Sequence, residues 1–504
     1  LKHTPTAEQE TAKHDVLGGE HTKISAYAGA SKTTSLIFIS EALKGEIGKY
    51  LSFNTEIAKQ AATEFPGWVE CRTTHSLAFQ AIGKTWVNAG REIPGPRSKV
   101  RRLRTHEIAS IIGVKDGYRG ENAKLSRNGI TYLAMQTVTK FCYSADEEIG
   151  FQHVPYDRQW LTWSDQERNE VKALATHFAQ IVWADIMNMQ GGKLNYSHDY
   201  YLKQYQLSHP TINVDFLMID EGQDTNPAVL DIFVNQGTHA QLIMVGDTYQ
   251  QIYAWRGAID AMDAFDSENV CYLTKSFRFG EAVANEANKW LTLLNAPHPL
   301  VGFEKIDSEV CELTEPYAVL CRTNAQVIAE TLHYQEAGRK VYVQGGTRDI
   351  KDLAEAAQQL MRGQPVEHAE LIGFENWDEV VDYAASDETA KDLRIFVKLV
   401  DQYGVEKILA LANTTVSKEQ YGDMVVSTAH KAKGREYESV QIAPDFAEPM
   451  ADEQTGEAAK LNDAEMKLAY VAVTRAKLRL DCSALGWVDR WLDLAAPVTN
   501  NQGA

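Results

Sequence analysis

Val214-Asp215-Phe216-Leu217-Met218-Ile219-Asp220-Glu221-Gly222-Gln223-Asp224 is an apolar run, interrupted only by Asp215, that stops abruptly in carboxylates. Such a run, bounded by an acidic turn, reads as a buried strand that delivers two carboxylates to a pocket at its end. Mg²⁺ takes hard oxygen ligands, typically one or two carboxylates with phosphate oxygens completing the shell. Asp220 is therefore the expected metal residue, and Glu221 the group that orients an attacking water. Taken alone, the same residues also read as a plain acidic turn at a strand end. The rest of the chain decides between the two.

At 504 residues the chain exceeds one ordinary hydrophobic core, so two to four domains are expected. Its 44% hydrophobic and 24% charged residues are a globular balance. No stretch approaches the roughly 18 uninterrupted apolar residues of a membrane span, and the start, with Lys2, Glu8, Glu10 and Lys13, has no signal-peptide core. No membrane partner is expected. The expected location is the cytoplasm, on the nucleoid, or the nucleus in a eukaryote. Cys71, Cys142, Cys271, Cys311, Cys321 and Cys482 are scattered without a Cys-x-x-Cys pair, which argues against a zinc ribbon, an iron–sulfur cluster or a disulfide framework. A net charge of -19 opposes a polyanion partner, so any nucleic-acid site must be a local basic channel.

Short apolar or β-branched runs alternate with helix-length amphipathic segments, the pattern of parallel α/β layers. Strands are expected at 24–27, 49–53, 216–219, 241–245, 318–321, 340–343 and 425–427. Two stretches break the pattern. From about 83 to 206 the sequence turns helical, opening on a Pro/Gly-rich segment and the basic run Arg97, Lys99, Arg101, Arg102 and Arg104. From about 350 to 413 it is helical and largely polar. Both read as insertions into α/β domains.

Ile24-Ser25-Ala26-Tyr27-Ala28-Gly29-Ala30-Ser31-Lys32-Thr33-Thr34-Ser35-Leu36 sets a small-residue loop between a strand and a helix, where a phosphate cradle belongs. Backbone N–H groups of Ala28, Gly29, Ala30 and Ser31 and the helix start through Thr34 face the anion. Lys32 supplies charge to the β/γ-phosphates, and the Thr33 hydroxyl joins Asp220 in the Mg²⁺ shell. Against the pattern G-x-x-x-x-G-K-[ST], Ala26 and Ser31 replace the glycines. A side chain at Ser31 would crowd the phosphates or resist a backbone conformation that glycine adopts easily. The plainer alternative is a helix start capped by Ser31.

Further along, Gln250 in the segment from Val245 to Ala258 suits a γ-phosphate contact, and Trp255 beside Arg256 suits stacking on an unpaired base, worth about 1–3 kcal/mol per base. Phe277 and Arg278 offer a ring for adenine and a guanidinium for phosphate. Thr428 and His430 follow a strand and suit a nucleic-acid backbone, with Glu436 reaching the nucleotide or its ribose. Arg475 is placed as an arginine finger, a group worth ~10³–10⁵ in rate in known systems. Each has a bland reading as a buried tryptophan, an amphipathic helix start or a solvated arginine. Their joint order is far more specific than any one of them.

In that order, from Gln9 to Lys477, the chain resembles superfamily 1A helicases of the UvrD/Rep type. Ala26-Tyr27-Ala28-Gly29 and the stretch from Phe53-Asn54-Thr55-Glu56-Ile57-Ala58 to Thr74-His75-Ser76-Leu77-Ala78 look most like the F-box DNA helicase branch and its prokaryotic or phage relatives; no F-box is apparent. The resemblance implies an α/β fold of two RecA-like parallel-sheet motor domains, each with a mainly helical inserted accessory domain. Motor domain 1 would span 1–84 and 207–270 around an insertion at 85–206. Motor domain 2 would span 271–349 and 415–494 around a small insertion at 350–414, with a tail at 495–504.

The resemblance further implies that Gln9 reads the adenine edge, and that Phe53, Asn54, Thr74 and His75 line the single-strand path. Tyr253, Trp255 and Arg256 would couple hydrolysis to DNA, and Arg322 and Asn324 would contact DNA in the second motor domain. Arg278 and Arg475 would reach the γ-phosphate. The implied activity is an ATP- and Mg²⁺-dependent helicase or translocase moving 3′ to 5′ on single-stranded DNA. It would separate strands at single-strand/duplex junctions or displace proteins in DNA repair, recombination or replication. A monomer is expected, with protein partners of repair or replication. The competing expectation is a nucleotide-gated single-stranded DNA-binding or recruitment factor whose ATPase is weak because of Ser31.

Overall fold

The computed structural model describes residues 4–52, 54–91, 93–94, 98, 100–156, 160, 162–253, 260–366, 368, 370–372, 374, 376–386, 391–449 and 459–495. The chain divides into two compact units. The first comprises Leu1–Ser25, Lys32–Thr248 and Tyr253–Tyr272, and the second comprises Ala26–Ser31, Tyr249–Ile252 and Leu273–Ala504.

The first unit is built on β1 (Thr22–Ala26), β2 (Gly48–Ser52), β3 (Val69–Thr73), a short hairpin of β4 (Tyr118–Arg119) and β5 (Lys124–Leu125), then β6 (Phe216–Ile219), β7 (Gln241–Gly246) and β8 (Asn269–Leu273). Six of these form one sheet in the order β3-β2-β6-β7-β1-β8. Neighbours from β3 to β1 run parallel. Every residue of β6 is buried, as a strand covered on both faces requires. Leu217, Ile219, Leu242 and Met244 from the sheet share one buried cluster with Val138, Phe141 and Ile186 from the helices Arg127–Tyr143 and Asp165–Ile186. Those helices start where side chains satisfy their open N–H groups: Ser126 accepts from Gly129, and Ser164 with Glu167 forms a capping box.

The second unit carries β9 (Glu309–Val310), β10 (Ala318–Cys321), β11 (Val341–Val343), β12 (Met424–Thr428), β13 (Tyr437–Ile442) and β14 (Ala476–Asp481). They form a parallel sheet in the order β11-β12-β10-β13-β14-β9. The α/β class expected from the alternation of strands and helices is the class found.

All seven expected strands are present; 216–219 and 318–321 keep their expected bounds, and the ends of the others shift by no more than two residues. The strands the sequence hid are the short hairpin β4 and β5 and, in the two main sheets, β3, β8, β9, β13 and β14. β3 and β8 lie at the two edges of the first sheet and β9 at an edge of the second, where exposure permits residues such as Glu70, Arg72 and Glu309. β14 carries Lys477 and Arg479, and β13 carries Glu438 and Gln441, which mask the apolar signal. The stretch that looked largely polar forms Arg348–Met361, Trp377–Ser386, Lys391–Tyr403 and Val405–Thr414. Leu353, Leu360, Phe396, Val400 and Ile408 on these helices join Val319, Val341 and Val426 of the sheet in one core. One helical face was apolar while the average composition was not. Among the described residues, no helix is long and apolar enough to cross a membrane.

Candidate nucleotide and nucleic-acid site

In the first unit, the neighbouring strands β6, β7 and β1 bring their carboxyl ends to one edge of the sheet, the usual place for a ligand in parallel α/β folds. Lys32 and Thr33 open the helix Lys32–Ala42 there, and Asp220 and Glu221 follow β6. The Thr33 hydroxyl donates to Asp220 Oδ2 at 3.0 Å, and Lys32 Nζ lies 3.7 Å from Glu221 Oε1. A second donor reaches the same carboxylate oxygen: the Tyr50 hydroxyl, at 2.7 Å. Asp220 Oδ1 accepts from the Glu221 N–H at 2.8 Å. Burial, and then the charge of Glu221, push the Asp220 carboxyl above its ordinary range, against the opposing pull of Tyr50, Lys32 and Thr33. Burial and the same carboxylate push the Tyr50 phenol up, so it remains a proton donor.

Glu221 holds φ at 55°, a left-handed conformation uncommon for a residue with a Cβ. Gln223 fixes it. Its Nε2 donates to Glu221 Oε2 at 2.5 Å, and its Oε1 accepts from the Asp247 N–H at 2.8 Å. Thr34 sits in the first turn of the Lys32–Ala42 helix. Gln9 is buried in the helix Ala7–Leu17, where its amide accepts from the Thr6 N–H and donates to Ser35 Oγ at 2.8 Å. The donor set suits Mg²⁺: one threonine hydroxyl and one carboxylate converge. Among the described residues, no cluster of three or more His, Cys, Asp or Glu competes for a metal.

The second unit holds the residues 28–31 of the phosphate loop. Gly29 has φ of 76°, and a Cβ there would overlap Ser276 Oγ and lie 2.8 Å from the Arg278 Cβ. Its carbonyl accepts from the Phe277 N–H at 2.8 Å, and the Phe277 ring packs 5.1 Å from that of Phe303. The Ala28 N–H donates to the Tyr470 hydroxyl at 3.1 Å. Ser31 adopts φ of 57°, so the serine takes the left-handed conformation that a glycine would reach without strain.

Arg475 is only 1% exposed. Its guanidinium donates to the carbonyls of Val471 and Arg435, to Thr474 Oγ1, and to Gln250 Oε1 at 3.1 Å. Two residues assigned separately to the γ-phosphate thus meet, and Lys433 holds the Gln250 carbonyl at 2.7 Å. Arg278 donates to Glu436 Oε2 at 3.0 Å and to the Thr474 carbonyl. Burial raises the Glu436 carboxyl, but Arg278 and Lys477 outweigh it and hold the group below its usual range.

The candidate nucleic-acid residues recur at helix starts. In the first unit Asn54 caps Thr55–Glu64, and Thr73 caps the helix in which Thr74 comes first. His75 Nε2 lies 3.5 Å from Asp199 Oδ1, its ring edge-on to Tyr201. A cavity of about 140 Å³ brings Thr74 and His75 to the same space as Asp220, Glu221 and Asp224. Tyr253 is half-buried, whereas Phe53, Trp255 and Arg256 lie outside the described residues.

In the second unit Thr323 caps the helix that Asn324 begins, and Thr428 caps Ala429–Ala432, which carries the half-buried His430. Arg322 forms a two-point pair with Glu465, at 2.7 and 2.8 Å, while Asp445 accepts from the Arg322 and Thr323 N–H groups. They border a cavity of about 590 Å³ that Trp290 and Trp487 also line.

Tyr50 and Gln223 in the first unit, and Tyr470, Asp445 and Glu465 in the second, thus contact the candidate residues without having been singled out. Gln223 stood inside the quoted acidic stretch, and Tyr470 lies five residues before Arg475. Tyr50 gave no signal beyond that of a core strand.

Two family models match the chain. The UvrD/REP helicase N-terminal domain matches residues 69–268, and the UvrD-like helicase C-terminal domain matches residues 347–485. The F-box DNA helicase 1 of Gallus gallus is 29% identical over 93% of this chain and 48% of its own length. The F-box DNA helicase protein 1 of Schizosaccharomyces pombe is 28% identical over 92% of this chain and 55% of its own. A probable DNA helicase of Mycoplasma pneumoniae is 28% identical over 53% of this chain. The chain therefore spans about half the length of the F-box relatives it matches. With N- and C-terminal helicase domains both matched and a parallel sheet in each unit, the chain belongs to the UvrD/Rep helicase family, and its two sheets are consistent with RecA-like domains.

Proposed function

We propose that the chain is an ATP-dependent motor that moves 3′ to 5′ on single-stranded DNA and separates strands at junctions, in DNA repair, recombination or replication. The observation that carries this reading is the convergence of Lys32, Thr33, Asp220 and Glu221 at the carboxyl edge of one parallel sheet. Lys32 and the loop amides hold the phosphates. Thr33 and Asp220 would hold Mg²⁺, which would supply positive charge against the phosphates. Glu221, steadied by Gln223, orients the attacking water, and Arg278 and Arg475 stabilise the transferring phosphoryl group. Asn54, Thr74, Arg322, Asn324 and Thr428 take the strand, with Phe53, Trp255 and Arg256 assigned by family position. The helical stretches 85–206 and 350–414 act as accessory domains, and the chain works as a monomer.

The left-handed backbone of Ser31 supports a second reading, a nucleotide-gated single-strand binding factor with weak turnover. Steady-state ATPase with and without single-stranded DNA separates the two. Strand displacement on 3′- and 5′-tailed DNA and RNA duplexes tests substrate and polarity. The motor reading requires stimulated turnover and displacement from a 3′ DNA tail; negligible turnover, or displacement only from a 5′ tail, overturns it.

A further inference from the structure

The two oxygens of Asp220, the carboxylate assigned to Mg²⁺ above, are held differently. Oδ1 faces backbone, accepting from Glu221 N–H at 2.8 Å. Oδ2 is the side on which Thr33 lies, and Tyr50 reaches that oxygen at 2.7 Å, closer than the 3.0 Å of Thr33 itself. The tyrosine is fixed where it stands. It is fully buried on β2, opposite Met218 in the register with β6, and its ring packs 4.7 Å from that of Phe65. A locked ring with a single hydroxyl aimed at one carboxylate oxygen leaves little freedom in how that carboxylate meets an ion.

We propose that Tyr50 is a positioning residue for Mg²⁺-nucleotide, its hydroxyl setting the orientation of the Asp220 carboxylate beside Thr33. The inference rests on the ATP reading above. A group that hydrogen-bonds a metal-holding carboxylate typically changes metal affinity by about 10–100-fold when it is lost. A residue that matters only for packing leaves metal affinity unchanged as long as the ring remains.

Tyr50→Phe keeps the ring against Phe65 and removes the hydroxyl. The readout is the Mg²⁺ concentration that half-restores binding of a fluorescent ADP analogue, measured on the full chain after chelation, with metal-free nucleotide affinity and melting temperature alongside. We expect the half-point to rise roughly tenfold, with metal-free affinity unchanged. Tyr50→Leu, which also lacks the hydroxyl, should shift the half-point equally and serves if the phenylalanine variant does not fold. In an Asp220→Asn background, Tyr50→Phe should have no further effect. A half-point within twofold of wild type in a folded Tyr50 variant overturns the inference while leaving the ATP reading intact. Loss of all Mg²⁺ dependence in the wild-type protein overturns both.

Discussion

Replacing Ser31 by glycine asks how much one side chain in the phosphate loop restrains the motor. Ser31 holds φ at 57°, in the left-handed region. That conformation costs a residue with a Cβ roughly 1–2 kcal/mol. Glycine escapes the cost but loses more backbone freedom on folding, roughly 0.5–1 kcal/mol. The net gain in stability from Ser31→Gly is therefore between about 0 and 1.5 kcal/mol. Turnover has a ceiling set by the same strain: if all of it were released only in the transition state, kcat/KM for ATP would rise roughly 5–30-fold. Steady-state ATPase on saturating single-stranded DNA measures this for wild type, Ser31→Gly and Ser31→Ala. Alanine keeps the Cβ and hence the strain while removing the hydroxyl, so it should turn over within about threefold of wild type. A rise of more than a hundredfold for Ser31→Gly would refute the argument, because backbone strain cannot supply it. Equal rises for glycine and alanine would refute it differently, by making the hydroxyl the obstacle.

Gly29→Ala should abolish nucleotide binding in a nucleotide-titration assay, because φ of 76° strains any Cβ and this one would overlap Ser276 Oγ. Glu436→Gln should cost less than about 1 kcal/mol in melts, since the carboxylate is partly exposed and solvent screens its pairs with Arg278 and Lys477. The sign of its pH dependence follows from the lowered carboxyl. The pair's stabilisation is fully present above the ordinary glutamate value of 4.5 and is lost as pH falls through the depressed folded value. The wild-type advantage in melting temperature should accordingly be flat at neutral pH and vanish in acid; an advantage that grew in acid would contradict the pairing.

Much of the candidate site was legible because its chemistry is local. A strand, a turn and a helix start place Lys32 and Thr33, and a strand end places Asp220 and Glu221, so residue type and order sufficed. Tyr50 was illegible for the opposite reason. Its role depends on β2 lying beside β6, and pairing between strands separated by more than 160 residues leaves no mark on either strand alone. Arg322 was expected to meet DNA, but nothing near it in sequence revealed Glu465 as its two-point partner. The edge strands β3 and β9 were missed because an edge tolerates charge, and the helices from Arg348 to Thr414 hid an apolar face inside a polar average.

A chain of net charge -19 can bind a polyanion only where its basic groups are gathered locally, and salt counts the ionic contacts they make. Of the residues assigned to the strand, only Arg256 and Arg322 carry permanent positive charge, and Arg322 must leave its two-point pair with Glu465 to meet a phosphate, so two is the upper count. Each phosphate neutralised on single-stranded DNA contributes about -0.7 to the slope of log affinity against log salt, so two give about -1.4. The run Arg97, Lys99, Arg101, Arg102 and Arg104 is the alternative source of charge. Were all five on the strand as well, the slope would steepen to about -5. Within that run, Arg101 is committed to Glu107 at 2.8 Å, while Arg102 and Arg104 are exposed. We expect the shallow slope, which corresponds to about a sevenfold loss of affinity between 50 and 200 mM salt, measured by anisotropy on a short labelled oligonucleotide. Arg102→Gln with Arg104→Gln should leave that slope unchanged on single strands. A loss near a thousandfold over the same salt range, relieved by those two substitutions, would move the strand onto the basic run and away from the residues assigned by family position.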